Sequence, residues 1–480
     1  MRIALIILLL WFTCAQAQIV EVSNPTRLPN KTSRFKILGK NNDGYIIRLY
    51  GAEDVINVYS EDLKLLTTKT IDYKNKEGLL QYVMLNKTGA VIFYLSKDKK
   101  NPALLAQPVN SKFIEIGKAI LLDTIYDRKD IAAANLRYKE SPDHSYLVMY
   151  YPYFSGNTVE SIDFICIDRS LNRLYKKKVI VQRPEADLEN MWFLVDNEAN
   201  TYMVFQDEVK KGENSIFSVI RVNSSAEISS YKLAIDKEIF GEPQFELDSK
   251  NGNLIAAGFY DDDNKKTEAA ATGFFYASYK AADGTENKVS YNTFSKAFMT
   301  ELTGREAKDD KLKLFTFNVR KIVIRNDGGA LISAESLIKD QRETSTGVSL
   351  QPGYTGFRTV TIYQYNDIVA FSINPDGTID WNAIMRKKQV SEEDNGAYSS
   401  FLTINQNDRL RLLYLDEIST AASLNQYVLS SKGHSDRSVV FNQEEKDVAI
   451  QPKAGKQVSP NEVLLPSFLG GSFKLVKITF

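Results

Sequence analysis

The feature that most constrains this chain is a repeat. A polar turn followed by a hydrophobic strand recurs as NNDGYIIRLY from Asn41, NKTGAVIFYL from Asn86, SPDHSYLVMYY from Ser141 and DNEANTYMVF from Asp196. It continues as DSKNGNLIAAGF from Asp248, RNDGGALISAE from Arg325 and NQNDRLRLLYL from Asn405. After each copy comes a strand, a second polar turn and another strand, as in VINVYSEDLKLLTTKTI, FICIDRSLNRLYKKKVIV and IVAFSINPDGTIDWNAIM. Asn, Asp and Gly fill these turns because they accept positive φ or bond their own backbone, as tight hairpins demand. The copies recur roughly every fifty to sixty residues, with one longer gap, and each holds about four strand-length runs. Four-stranded units at this period cannot bury their faces alone and stack in a ring, which predicts an all-β chain folded as a β-propeller.

Seven copies predict seven four-stranded blades. The C-terminal EVLLPSFLGGSFKLVKITF, Glu462 to Phe480, adds two strands without a following hairpin and is expected to close the ring against the N-terminal segment near IVEVSN. If that junction forms a composite blade, the count becomes eight. No low-complexity linker divides the chain, so residues 18–480 are read as one propeller domain with an insertion at about 338–359. The runner-up, two β-sandwiches, calls for a Pro/Gly-rich boundary that the sequence does not contain.

The first residues set the compartment. Met1-Arg2, an apolar run from Ile3 to about Phe12 and then Ala15-Gln16-Ala17 match a secretory signal peptide cleaved before Gln18. The run is short of the ~20 apolar residues that a spanning helix needs. Lipid attachment at Cys14 is the rival, but Trp11-Phe12-Thr13 fits that signal poorly. Of the 2 Cys, cleavage would leave only Cys166 in FICID and no internal disulfide. A chain of this length without staples suits a bacterial envelope protein. In its repeat period, in turn-strand motifs such as NDGGALISAE and in its AQAQ-type leader, the sequence resembles the exported propellers of Bacteroidetes-type bacteria. The resemblance implies architecture and a periplasmic or cell-envelope location, not an activity.

Composition narrows the chemistry. With 60 basic and 60 acidic residues the formal net charge is 0, so nucleic acid and anionic lipid are poor partners. The 2 His, His144 and His434, fall in polar turns, and HExxH, CxxC, GxSxG and Walker-type motifs are absent, so neither a metal nor a cofactor is expected. SINPDGTIDWNAIM, from Ser372, fails the Asp-box spacing and has too few carboxylates for a calcium loop. It reads as a hairpin, with Trp381 packed between neighbouring sheets.

Two constellations remain. Acids follow the turn-initiated strands: Glu53 and Asp54, Asp207 and Glu208, Asp261, Asp262 and Asp263, Glu335, and Asp416 and Glu417. Equivalent strands end on one side of a ring, so Asp207, Asp261, Asp262, Glu335 and Asp416 define a candidate acidic face. It reads either as a solubilising rim or as a cation or paired-carboxylate glycosidase site. The insertion and the residues that follow it, Ile338 to Tyr365, carry Tyr354, Phe357, Arg358, Tyr363 and Tyr365, aromatic and Arg anchors suited to a binding loop, although RTVTIYQY also alternates like a strand that extends the blade. The sequence thus predicts a non-enzymatic scaffold with a protein or glycan partner, and a propeller glycoside hydrolase or glycan-binding protein as the alternative.

Overall fold

The computed structural model describes residues 18–480 except 29–33, 52, 72–77, 97–102, 125–135, 209–212, 263–269, 307–313, 315, 346–356 and 407–408. The leader expected at 1–17 lies outside the described residues. Eight antiparallel sheets follow one another along the chain, each with a core of four strands. In order, blades 1 to 7 occupy residues 34–71, 78–124, 137–184, 192–235, 238–293, 317–392 and 401–442. Blade 8 combines Lys456–Ser459, Glu462–Leu469 and Ser472–Thr479 with the N-terminal strand Ile19–Val22, which pairs Ile19 with Thr479 and Val22 with Val476. The expected count of seven is therefore corrected to eight. The eighth turn-strand copy is Ser459-Pro460-Asn461 leading into Glu462–Leu469, and the fourth strand of its blade, Ile19–Val22, comes from the other end of the chain.

The polar turns behave as their residue types require. Asp196 Oδ1 accepts from the backbone N–H of Glu198 and Asn200, and Asn223 Oδ1 does the same for Ser225 and Glu227, at 2.8–3.0 Å. The Asn374–Thr378 turn is a hairpin, with Gly377 at φ 81° and Asp376 Oδ1 accepting from Thr378 N–H at 3.0 Å. Gly44 (φ 127°) is needed for space as well: a Cβ there would lie 1.9 Å from the Tyr59 carbonyl oxygen.

Both faces of each blade are apolar, and the buried side chains fall into eight clusters, each between one pair of consecutive blades. Leu38, Ile46 and Val58 of blade 1 meet Val83, Ile92 and Tyr94 of blade 2. Corresponding clusters join blades 2 to 3, 3 to 4, 4 to 5, 5 to 6, 6 to 7 and 7 to 8. The last joins Leu464, Phe473 and Leu475 of blade 8 to Tyr45, Ile47 and Leu49 of blade 1. The interfaces therefore close on themselves, an arrangement consistent with an eight-bladed β-propeller. Between blades 5 and 6 a helix, Lys296–Thr303, adds Phe298, Met299 and Leu302 to the cluster, and Phe274 stacks on Phe371 at 4.8 Å. Each such fully buried aromatic is worth about 2–3 kcal/mol of transfer energy. Cys166 is completely buried between blades 3 and 4, and burial pushes its thiol up to about 12, so it packs as a small hydrophobe.

Antiparallel order gives the ring two different ends. Turns between first and second and between third and fourth strands share one, the turn face. Second-to-third connections and the crossings between blades share the other, the crossover face. No helix among the described residues is long and apolar enough to cross a membrane.

Candidate functional site

Blade 6 breaks the pattern. Its second and third strands, Ala330–Ser345 and Phe357–Ile373, have 16 and 17 residues, against lengths between 6 and 11 in the central strands of the other blades. They stay paired from Ala330↔Ile373 to Ser345↔Phe357, so the insertion read at 338–359 is in its described part a long β-hairpin on the crossover face. RTVTIYQY extends the blade. A short strand, Gln389–Glu392, pairs with Ile362–Tyr365 on its outer side.

The contact residues expected there separate. Tyr354 lies outside the described residues, Phe357 sits at the hairpin pairing limit, and Arg358 is exposed. Tyr363 and Tyr365 are buried, a correction to their reading as accessible anchors. The segment after Gln389–Glu392 folds over them: Tyr363 donates to Asn395 Oδ1 at 2.8 Å, and Gly396 lies so close to Tyr365 that a Cβ would approach its ring to 2.5 Å.

Beneath the hairpin root is a charge cluster. Glu335 and Lys387 are both wholly buried and pair at 2.7 Å, and Glu335 also takes Arg320 Nε at 3.1 Å and Ser400 Oγ at 2.6 Å. Lys387 donates to the Tyr365 carbonyl at 3.0 Å and to Gln389 Oε1 at 2.8 Å. Burial pulls the Lys387 ammonium below its usual value, with Glu335 opposing. Tyr365 has Arg320, Lys387 and Lys453 within 5.6–5.9 Å of its ring centre. Glu335 is therefore a structural anion that binds Arg320 and Lys387 within blade 6 and ties them to Ser400 at the root of blade 7, and not part of a rim of free acids.

The other acids are likewise engaged one by one. Asp207 accepts Arg183 Nη2 at 2.6 Å and Ser218 Oγ at 2.8 Å, with Lys232 at 3.3 Å. Burial would raise its carboxyl, but these partners outweigh that and hold it below the usual range. Asp262 pairs with Lys237 at 2.6 Å, and Asp416 accepts the Ser423 N–H at 2.9 Å. Asp261 ends its strand, paired with Glu238, and Asp263 lies outside the described residues. Among the described residues no group of three or more His, Cys, Asp or Glu is placed to hold a metal ion. Asp207 does line one acidic cleft of about 590 Å³ between blades 4 and 5, with Asp187, Glu189, Glu208 and Glu242.

A larger cleft, about 720 Å³, opens on the turn face across blades 6, 7 and 8. Its apolar lining includes Leu331, Leu410, Leu429 and Val458, and its polar lining Arg325, Asn405, Gln406, Arg409 and Gln457. Trp381 forms a wall. It packs with the blade 6–7 cluster as expected and donates its indole N–H to the Ser431 carbonyl at 3.0 Å. The Gln457 amide bonds the Asn405 backbone as a strand would, donating to its C=O at 2.8 Å and accepting its N–H at 3.0 Å, so the lining is held rigidly. Among the described residues that line the cleft there is no carboxylate, histidine or cysteine. The sequence held a signal for this site: of the seven turn-strand copies, only those of blades 6 and 7, RNDGG and NQNDR, carry arginine in the turn itself.

No family model and no curated protein matches the chain. Among solved structures it is similar to an uncharacterized protein from Listeria monocytogenes, at 8% identity over 82% of this chain and 89% of that one, TM-score 0.37. It is similar to a protein of unknown function from Bacteroides caccae, at 11% identity over 74% and 94%, TM-score 0.28. A third similarity is to the β-propeller domain of the Trilobed protease from Pyrococcus furiosus, at 8% identity over 88% and 98%, TM-score 0.32. Likenesses this remote do not bear on activity.

Proposed function

We propose that this protein is an exported, non-enzymatic propeller acting as a binding scaffold at the envelope of a Gram-negative bacterium, with a protein as its partner. The observation that carries the binding role is the turn-face cleft. It joins an indole wall, aliphatic side chains, fixed amides and two guanidinium groups, a lining that suits recognition by contact. Export rests on the leader-like Met1–Ala17 segment of the sequence.

A photo-cross-linking side chain placed at Ser431, in cells that express the protein at its natural level, should capture a discrete partner. Arg409→Glu in the same chain should remove that product while the unfolding transition is retained. Capture that is indifferent to Arg409→Glu would reject the cleft as the contact. A second reading, hydrolysis or binding of a glycan, is favoured by the five carboxylates in the cleft between blades 4 and 5. Polysaccharide cleavage lost in Glu208→Gln would establish it in place of the scaffold.

A further inference from the structure

The outer part of the long hairpin has an open edge. The first strand of blade 6 runs alongside Ala330–Ser345 only as far as Ser336, opposite Phe317. Among the described residues no strand pairs with that edge from Leu337 to Ser345, and Lys339 to Thr344 are all exposed.

The direction of the backbone groups along this edge can be read from the ladder. The Thr361 carbonyl accepts from Glu393 N–H at 3.0 Å, on the side away from the strand Ala330–Ser345. Gln341 is the residue opposite Thr361, so the two form a non-hydrogen-bonded pair, and the N–H and C=O of Gln341 point out of the hairpin. Two further contacts agree. The Gln341 N–H is capped by the carboxylate of its neighbour Asp340 at 2.8 Å, and Leu337, on the same parity, sends its N–H outward to the Thr316 carbonyl at 2.8 Å. Lys339, Gln341 and Glu343 therefore present their backbone donors and acceptors to whatever lies alongside.

The side chains specify what that is. Lys339-Asp340-Gln341-Arg342-Glu343 reads as its own charge complement when reversed. We propose that this edge pairs antiparallel with the same edge of a second copy of the chain, on a two-fold axis through Gln341, making one continuous sheet across two hairpins. In that register Gln341 exchanges hydrogen bonds with its copy and Lys339 with Glu343 of the other chain. Asp340 lies in a non-hydrogen-bonded pair opposite Arg342, where side chains approach most closely. Neighbouring registers are repelled. A slip of one residue sets Lys339 against Arg342 or Asp340 against Glu343, and a slip of two sets Asp340 or Arg342 against itself. On pairing, the Asp340 carboxylate exchanges its local cap on Gln341 N–H for the partner's guanidinium. The self-association is independent of the scaffold reading, since it involves neither the cleft nor its ligand.

The contact is a single strand edge, smaller than a standard interface, so the dimer is weak and dependent on concentration. Sedimentation of the purified full-length protein over a range of concentrations should show a monomer–dimer equilibrium. Asp340→Arg or Arg342→Asp alone should each weaken it about tenfold or more, because the symmetric contact turns two opposite-charge pairs into like-charge pairs. The combined swap D340R/R342D restores the complement and should restore the dimer. Gln341→Pro deletes an outward donor without touching the hairpin's own ladder and should abolish pairing with the unfolding midpoint preserved. A protein that is monomeric at every concentration, a dimer indifferent to Asp340→Arg, or a double swap that stays as weak as the single variants would each overturn the proposal.

Discussion

Several ionisable side chains are buried in this molecule, and Asp163 shows what they cost. It sits on the face of blade 3 turned toward blade 2, opposite Tyr151 and Lys178 on the flanking strands, and only 6% of its surface is exposed. Nearby, Asp123 is held by Lys176 at 2.8 Å and by the Tyr151 hydroxyl, while Oδ1 of Asp163 has no hydrogen-bond partner among the described residues. Burial raises the Asp163 carboxyl, the Asp123 charge adds to that, and Lys176 and Lys178 oppose it. A carboxyl raised on folding contributes stability that is present below its unfolded value and lost as pH rises through its folded value. Asp163→Asn removes that loss. The variant is expected to gain in urea midpoint over the parent at pH 8 and to gain little at pH 4. An equal effect at both pH values would rule out the charge as the cause.

At the level of the element, the long hairpin depends on the pair at its root. Glu335→Ala leaves Lys387 buried without its counter-charge and should cost about 3–5 kcal/mol, read as a fall in urea midpoint. Replacing both, Glu335→Leu with Lys387→Met, should recover most of that loss, since a buried pair is often matched by apolar side chains of similar size. If the double variant is no better than Glu335→Ala, the cluster is not a simple ion pair. Glu335 thus cannot be removed without consequence for the fold, as a rim acid could be. Sequence alone showed the strand containing Glu335, because ALISAE follows a turn of the repeated type. It did not show where the strand ends. The acid was read as terminal, whereas the strand continues ten residues further, to Ser345. The burial of Tyr363 and Tyr365 was equally hidden: their alternation with polar residues marks one face, but the cover comes from 389–400, a segment with no repeat signature. Trp381 was legible because a lone large aromatic beside a hairpin turn has few places to go other than the neighbouring blade. The cleft it borders needed three blades in register, information that no local window contains.

Across the whole molecule, the repeat announced seven blades, and the eighth was read only as the alternative in which the C-terminal strands and the segment near Ile19 form a composite blade, because its strands come from two distant stretches of chain. Val20 and Val22 pack into the blade 7–8 cluster. Deleting Ile19–Val22 re-exposes that apolar surface and should lower the unfolding free energy by about 3 kcal/mol. It also opens the strand edge from Val476 to Thr479, so light scattering should report aggregation at concentrations where the parent stays clear. An unchanged midpoint would mean that the closure contributes nothing. The same composite blade sets the order of events in folding. Ile19 pairs with Thr479, so the early strand has to wait until the distant one has been made. Blades 1 to 7 consist of local hairpins that can form in sequence as the chain lengthens, but the final step joins residues from two distant stretches of the chain. Such a non-local step is slow, and until it happens the chain is an open arc with unmatched flanks at both ends. Were the protein exported as proposed, this timing would suit passage through a translocation channel, because the closing contact cannot form before Ser472–Thr479 has crossed.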